Sequence, residues 1–220
     1  MIKTKKQIIE VIAKEVKSRF ENEGFDHDWW HIHRVWTMAK RIARKEKSAN
    51  GLIVELGALL HDVADFKFHG GNEKIGGNEA RKIMKKHGVH PQVITEVCKI
   101  VDSISYKGAK VRAPAMTLEG GIVQDADRLD AIGAIGIART FAYGGQAKRP
   151  LYNPAQKPVF HATKKAYINS KGTTINHFYE KLLLLKDRMN TKTGERIAKK
   201  RHRFMEKYLD QFMAEWNGRQ

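Results

Sequence analysis

Apolar residues recur along most of this chain with the spacing of an α-helix. The first twenty residues show it clearly, with one apolar stripe formed by Ile8, Ile9, Ile12, Val16 and Phe20. Spacings of three and four residues place side chains on one face of a helix. No set of segments alternates apolar and polar residues as half-buried strands do. The sequence therefore predicts an all-α fold, a single-domain helical bundle.

Capping residues give several of these helices their ends. Asp26 or Asp28 can cap the second helix and Asn50 the third. Gly88 is a natural stop for the fourth helix. Pro91 suits the first position of the fifth helix, where its missing N–H does no harm. The second predicted helix runs from the cap at Asp26 or Asp28 to about residue 46. The other predicted helices are residues 4–22, 50–65, 76–88, 91–104, 118–143, 174–189 and 191–216.

The length of the chain sets the expected domain organisation. A chain of 220 residues with 41% hydrophobic residues can bury one sizeable core. We therefore predict a single domain over 1–220, with C-terminal helices at about 174–216. The segment 144–173 is the exception, because it holds three of the five prolines and shows little periodicity. It is interpreted as a functional lid or as a disordered surface excursion.

The formal net charge of +17 is large for this size and favours acidic partners such as nucleotides, other phosphates or nucleic acid. A charged, solvated surface is the alternative explanation. The basic stretch "RIAKKRHRFMEKY" at 196–208 resembles a solvated helix face more than a recognition helix. The chain shows no zinc-finger spacing and no basic region leading into heptads. Nucleic acid therefore stays a less favoured partner than a small phosphorylated molecule.

The remaining composition indicates a cytoplasmic protein. Cys98 is the one cysteine, so no intramolecular disulfide can form. The longest apolar runs are too short to cross a bilayer, and the first twenty residues lack the apolar core of a signal peptide. We expect no membrane partner, and the sequence leaves the oligomeric state open.

Three histidines lie in the stretch "HDWWHIHRV" at 27–35, and helical phase separates them. His31 continues the apolar stripe of the second helix, whereas His33 lies on its polar face. Two residues along a helix correspond to a rotation of about 200°, so His31 and His33 cannot serve one site. His27 lies on the same side as His31 if the helix begins that early, and is a candidate for the substrate pocket.

Acidic residues occur in two other apolar helices. In "LLHDVAD", Asp65 is four residues after His61 and three after Asp62, so a continuous helix would point all three into one cavity. In "DADRLDAIGA", Asp127 and Asp130 flank an apolar stripe on which Gly133 leaves room for a close neighbour. Buried and unpaired acids are costly, which indicates that these have partners.

An inward histidine, a buried His-Asp pair and a further buried aspartate together supply two imidazoles and two carboxylates. This set suits one divalent first-row ion, with Mn, Fe or Co favoured over Zn, Ni or Mg. It does not resemble a closed structural zinc site rich in cysteine.

The order H…HD…D on an all-helical chain resembles the HD-domain metal-dependent phosphohydrolases. Their H-x-x-[RQ]-V pattern selects His31 in "HIHRV", and their A-D-[RK]-L pattern selects Asp127. The resemblance implies that His31, His61, Asp62 and Asp127 bind the metal, within a metal core at about 27–140. It also implies that Asp65 orients or deprotonates the attacking water.

Some HD proteins hold a second metal through further histidines between the HD pair and the last aspartate, where this chain has His69, His87 and His90. His69 lies just past the third helix and could reach the site. Because His87 and His90 lie at a helix end and a cap, we predict one metal.

The chain is further similar to a subgroup of small bacterial HD hydrolases that includes nucleotide pyrophosphohydrolases. The shared stretches are "HDWWHIHRV", "HDVADFKFHGG", "SISYKG" and "INHFYEKLL". They imply that Lys67 acts in catalysis and that Lys107 and Gly108 bind substrate phosphate. Arg128, Arg149 and His177 are further candidates, with Arg149 contributing if the 144–173 loop closes.

The resemblance implies hydrolysis of a phosphoanhydride or phosphoester bond in a nucleotide. The first expectation is conversion of a (deoxy)nucleoside triphosphate to the monophosphate and pyrophosphate. A nucleotide phosphomonoesterase is the second, and a non-catalytic nucleotide or nucleic-acid sensor using the same site is the third. The intact ligand set and Asp65 count against the sensor, because pure binding needs no water-orienting acid.

Overall fold

The computed structural model describes residues 3–21, 28–64, 75–106, 108–111 and 115–219. Within these ranges the chain contains ten α-helices and one 3₁₀-helix, and no β-strand, which confirms the all-α prediction. The α-helices are α1 (Lys5–Phe20), α2 (Trp29–Ala43), α3 (Gly51–Leu60), α4 (Ile75–Lys86), α5 (Pro91–Ser103), α6 (Leu118–Asp130), α7 (Gly133–Gln146), α8 (Lys164–Ile168), α9 (Thr174–Glu180) and α10 (Lys192–Trp216). The 3₁₀-helix is Leu182–Arg188.

The helix starts follow their capping chemistry. Thr4 and Gln7 form a capping box at α1. Asp28 caps α2 and Asn50 caps α3, as predicted. Gly88 has a left-handed φ of 74° just after α4, where a residue without Cβ ends a helix at little cost.

The predicted helix 118–143 is wrong, because the chain breaks between α6 and α7. Gly133 adopts a left-handed φ of 79° at the first position of α7, and the extended Ile132 precedes it. A Cβ on Gly133 would lie 3.0 Å from Cγ of Arg201. The expected close neighbour is therefore present, and glycine permits both the turn and the approach.

The predicted helix 174–189 is also interrupted. At Lys181 the backbone leaves the helical region (φ −140°, ψ −60°), and the 3₁₀-helix follows. In a 3₁₀-helix residues three apart eclipse one another, and both Leu182 and Leu185 are buried. The repeat of three residues in the 3₁₀-helix therefore places two leucines of the run "LLLL" on one buried side.

The 144–173 segment is irregular, except that α7 extends into it to Gln146 and α8 lies within it. Backbone N–H groups of Thr174 and Ile175 donate to the carbonyls of Pro150 and Leu151 at 2.9 and 3.0 Å. The side chain of Asn176 donates to the carbonyl of Gln156 at 2.9 Å. These bonds attach the segment to α9, contrary to a disordered excursion, and the lid role stays a prediction.

The chain comprises two compact units, here unit 1 (Met1–Ser105 and Pro114–Asp127) and unit 2 (Tyr106–Ala113 and Arg128–Gln220). Unit 1 encloses an apolar core supplied by α1 to α5, with fully buried Ile12, Ile32 and Leu59. Unit 2 is held by rings of α7, α9 and α10, including the stacked Phe178 and Tyr208. The single domain over 1–220 stays a prediction. None of the described helices has the length and apolarity that crossing a membrane would require.

Candidate metal centre

His31 lies in the first turn of α2, in unit 1, and is held there by the cap of that helix. The carboxylate of Asp28 accepts a hydrogen bond from the His31 backbone N–H at 2.8 Å. The imidazole is on the buried stripe that continues through Val35, Ala39 and Ile42. The predicted inward direction of His31 is thus confirmed, and its side chain is 2% exposed.

His61 enters the same place from the end of α3. The predicted continuation of this helix to 65 is wrong, since α3 ends at Leu60 and a turn covers 61–64. Nδ1 of His61 lies 2.8 Å from the carbonyl oxygen of Ala58. A carbonyl only accepts, so Nδ1 donates this hydrogen bond and Nε2 is the ring nitrogen directed toward His31.

The two imidazoles converge, and two carboxylates join them. Nε2 of His31 and Nε2 of His61 are 3.1 Å apart. An Asp62 carboxylate oxygen lies 3.3 Å from the first and 3.4 Å from the second. An oxygen of Asp127 lies 3.7 and 3.9 Å from them. Residues from α2, the end of α3 and α6 therefore meet at one point.

These atoms fit one divalent ion. Donor atoms of His31, His61 and Asp127 all lie within 4.8 Å of one another. Two imidazole nitrogens that are each about 2.1 Å from one ion would stand about 3 Å apart when they are adjacent ligands. The imidazoles are almost fully buried, whereas Asp62 and Asp127 are 19% and 32% exposed. Water and a substrate oxygen can therefore reach the carboxylate side.

His33 does not belong to this cluster. Its ring lies 5.8 Å from that of Trp29, 5.9 Å from Trp30 and 6.2 Å from Trp36. Helical phase therefore separated His31 from His33 correctly, although His33 is half-buried among indoles rather than fully on the surface. Trp29 is buried and Trp30 is 60% exposed, so only the first packs inside.

Two other histidines and one other acid that the sequence analysis named have structural partners. His87 contacts the Glu15 carboxylate at 2.7 Å, and His90 caps α5. Asp130, which the sequence grouped with Asp127, pairs with Arg139 at 2.8 Å. Of the two, only Asp127 joins the imidazoles.

Three predicted substrate contacts lie in unit 2. Gly108 has a φ of 131°, and its carbonyl accepts a hydrogen bond from Arg188 at 3.2 Å. Arg128 donates to the carbonyl of Arg188, and Arg149 donates to the carbonyl of Ser170 at 3.1 Å. Each arginine thus has a backbone partner, and their role toward a substrate stays a prediction.

His177 also lies in unit 2, within an aromatic and cationic cluster. It stacks on Tyr167 at 6.4 Å between ring centroids. The Lys181 ammonium lies 5.3 Å from the ring centroid of Tyr106 and 5.9 Å from that of Tyr167. Burial, reinforced by the charges of Lys181 and Arg149, lowers the pKa of His177 to about 3. The ring is therefore neutral near pH 7.

His27, Asp65, Lys67, Lys107 and His69 lie outside the described residues. Their predicted roles stay predictions. The Ala58 carbonyl that orients His61 was missed by the sequence analysis, because any residue type supplies a carbonyl and its position depends on where α3 ends.

Comparisons with known proteins agree with this geometry. A model of the HD domain matches residues 29–132, which include all four converging side chains. YpgQ of Bacillus subtilis is 37% identical over 203 residues, covering 92% of this chain and 90% of YpgQ. A crystal structure of YpgQ in complex with ADP aligns with a TM-score of 0.77 and covers 97% of each chain.

Two further crystal structures cover nearly the whole chain. A protein from Lactobacillus plantarum is 35% identical, with a TM-score of 0.86, and the alignment covers 99% of this chain and 100% of the other. An HD-superfamily hydrolase from Bacillus thuringiensis is 41% identical, with a TM-score of 0.76 and coverage of 97% and 99%. This chain therefore belongs to the HD-domain family and is a metal-dependent phosphohydrolase.

Proposed function

We propose that this protein hydrolyses a nucleoside or deoxynucleoside triphosphate to the monophosphate and pyrophosphate. The observation that carries the proposal is the convergence of His31, His61, Asp62 and Asp127 at one partly open point. YpgQ, which aligns over 97% of this chain, has been crystallised with ADP, and this supports a nucleotide substrate. The net charge of +17 favours an anionic substrate.

In this proposal the four side chains hold one ion, with manganese, iron or cobalt favoured by two imidazoles and two carboxylates. A bound divalent ion supplies Lewis-acid charge and lowers the pKa of a coordinated water. The Ala58 carbonyl accepts from Nδ1 of His61 and so directs Nε2 into the centre, where it would bind the ion. The cap at Asp28 fixes the first turn of α2, which carries His31.

The other proposed roles concern the water and the phosphate chain. Asp65 accepts the proton of the water whose oxygen bonds to the α-phosphorus, while the α–β phosphoanhydride bond breaks and pyrophosphate leaves. Lys67 and Lys107 offset the phosphate charge. A cytoplasmic location, where nucleotides are abundant, completes the proposal.

Product analysis tests the proposal directly. Protein stripped of metal and protein loaded with Mn²⁺ are each incubated with nucleoside triphosphates and monophosphates, and the products are separated by anion exchange. We expect pyrophosphate and a monophosphate in equal amounts, only with the ion present. Orthophosphate released from monophosphates would instead identify a phosphomonoesterase.

Two aspartate variants test whether hydrolysis takes place at the candidate metal centre. Asp62→Ala removes a carboxylate within 3.4 Å of both imidazoles and should reduce turnover by at least a thousandfold, because electrostatic stabilisation of the transition state is commonly worth about that much. Asp187→Ala, at an acid with no ion pair among the described residues, is the matched control and should retain activity. Full turnover by Asp62→Ala would refute the assignment.

A further inference from the structure

The last helix, α10, has one buried face. Ala198, His202, Met205 and Leu209 are each less than a tenth exposed, at spacings of four, three and four residues. Such spacing forms one stripe along a helix. This stripe of α10 is therefore covered by the protein itself, whereas Phe204 and Trp216 of the same helix are exposed.

The opposite face of α10 is exposed and basic. Positions 192, 196, 199 and 203 follow one another at three or four residues and share a side of the helix. Their side chains project into solvent and border a surface groove of about 260 Å³. The groove is lined by Lys192, Glu195, Arg196, Lys199, Lys200 and Arg203, here called the basic face.

The basic face carries an excess of positive charge. Glu195 is its one acid, and its carboxylate pairs with Lys199 at 2.5 Å. Among residues that the structure describes, no carboxylate lies within ion-pair distance of Lys192, Arg196, Lys200 or Arg203. Four cations therefore lie along one exposed face of α10 without a counter-charge from the described part of the chain.

We propose that the basic face binds the phosphate backbone of a nucleic acid without reading its base sequence. Lys192 and Arg203 are eleven residues apart, which corresponds to about 16 Å along the helix axis. Duplex DNA carries one charge for about every 1.7 Å of its axis, so the row meets several phosphates at once. Contacts of lysine and arginine with phosphates give affinity without sequence information.

The composition of the basic face disfavours a membrane or another protein as its partner. A helix that lies on a membrane inserts an apolar stripe of several side chains into the lipid. The apolar stripe of α10 is buried in the protein, and the exposed Phe204 beside the basic face is a single side chain rather than a stripe. Lysine is depleted at protein–protein interfaces, whereas three of the five cations here are lysines. A linear row of cations is most complementary to a linear polyanion.

Fluorescence anisotropy with a labelled DNA duplex of about 20 base pairs, titrated between about 50 and 200 mM KCl, tests this proposal. The test variant combines Arg196→Gln, Lys200→Gln and Arg203→Gln. The matched control combines Lys5→Gln, Lys14→Gln and Lys47→Gln, which removes the same charge from exposed lysines of unit 1 that form no ion pair with the described residues. Circular dichroism confirms that both variants are folded.

We expect the test variant to bind the duplex at least tenfold more weakly at low salt. The slope of log K against log salt should decrease by roughly two to three, because each phosphate that a cation neutralises contributes about 0.9 to it. The control should stay within about threefold of the unmodified protein, because it keeps every cation of the basic face. His61→Ala, which affects only the metal centre, should bind the duplex normally.

Three results would overturn the proposal. One is an equal loss of affinity in the test and control variants, which would assign binding to net charge alone. Another is saturable binding to phosphatidylserine vesicles with none to the duplex. The third is binding of neither probe by the unmodified protein. None of these depends on whether nucleoside triphosphates are hydrolysed, so the two proposals fail separately.

Discussion

Nε2 of His31 and Nε2 of His61 lie 3.1 Å apart, although thirty residues separate them along the chain. His31 is placed by the start of α2 and His61 by the end of α3. Two helix ends therefore bring the two imidazoles together. The Asp28 cap fixes the backbone at His31, and the Ala58 carbonyl orients the ring of His61.

The first prediction concerns two histidines of one helix. His31→Ala removes a nitrogen from the centre and should lower the affinity for Mn²⁺ at least tenfold, because removing even an outer partner of a metal ligand costs that much. His33→Ala, two residues away, should retain the metal since its ring contacts indoles instead. Metal per chain after dialysis, measured by plasma mass spectrometry, compares them. Loss of metal from His33→Ala would contradict the assignment.

The second prediction concerns Glu15, which joins α1 to α4. Burial acts to raise its pKa, but hydrogen bonds from Lys86, His87 and Arg19 outweigh it and lower the pKa from 4.5 to about 2. A carboxyl group with a lower pKa in the folded state stabilises the protein at pH values above its pKa in the unfolded chain. This stabilisation is lost as the pH falls through its pKa in the folded state. The contribution near pH 7 is at most about 3 kcal/mol.

Glu15→Gln should therefore unfold at lower urea concentration than the unmodified protein near pH 7. The difference in the free energy of unfolding should shrink as pH falls from about 4.5 to about 2, where Glu15 itself becomes neutral. Glu10→Gln is the control, because Glu10 is exposed and its nearest lysine is 3.9 Å away. A pH-independent difference for Glu15→Gln would contradict this explanation.

The third prediction uses neighbouring glycines of α7. A Cβ on Gly144 would collide with Oγ1 of the buried Thr174, whereas a Cβ on Gly145 meets nothing within 4 Å. Gly144→Ala should destabilise the protein by about 1–3 kcal/mol through overpacking. Gly145→Ala should stabilise it by up to about 1 kcal/mol, because alanine favours the helix. Thermal unfolding compares them, and equal shifts would refute the predicted packing of α7 on α9.

The fourth prediction concerns His177. Its pKa of about 3 means that the folded state binds the proton less readily than the unfolded chain. Stability should therefore decrease as pH falls below about 6.5 and stop decreasing below about 3. In ¹⁵N-resolved NMR the His177 ring should stay neutral from pH 8 to 5. Titration of His177 near pH 6.5 would contradict its burial among cations.

Helical periodicity and capping chemistry were sufficient to predict where α2, α3 and α5 begin, but not that α3 ends at Leu60. Periodicity failed at Gly133 and Lys181, because a left-handed glycine and a three-residue repeat of leucines interrupt a pattern that looks continuous in one dimension. The interruption at Gly133 involves a partner distant in sequence, because Arg201 packs against this glycine.

The sequence by itself determined that the chain is all-α, that His31 and not His33 faces inward, and that His61, Asp62 and Asp127 are its companions. Those conclusions need only the rotation of about 100° for each residue of a helix and the spacing of one family pattern. Tertiary structure alone decided that Asp127 meets the imidazoles while Asp130 pairs with Arg139, and that the Ala58 carbonyl orients His61. The reason is physical: helical phase limits which direction a side chain takes, but its partner depends on which helices pack together and where each one ends.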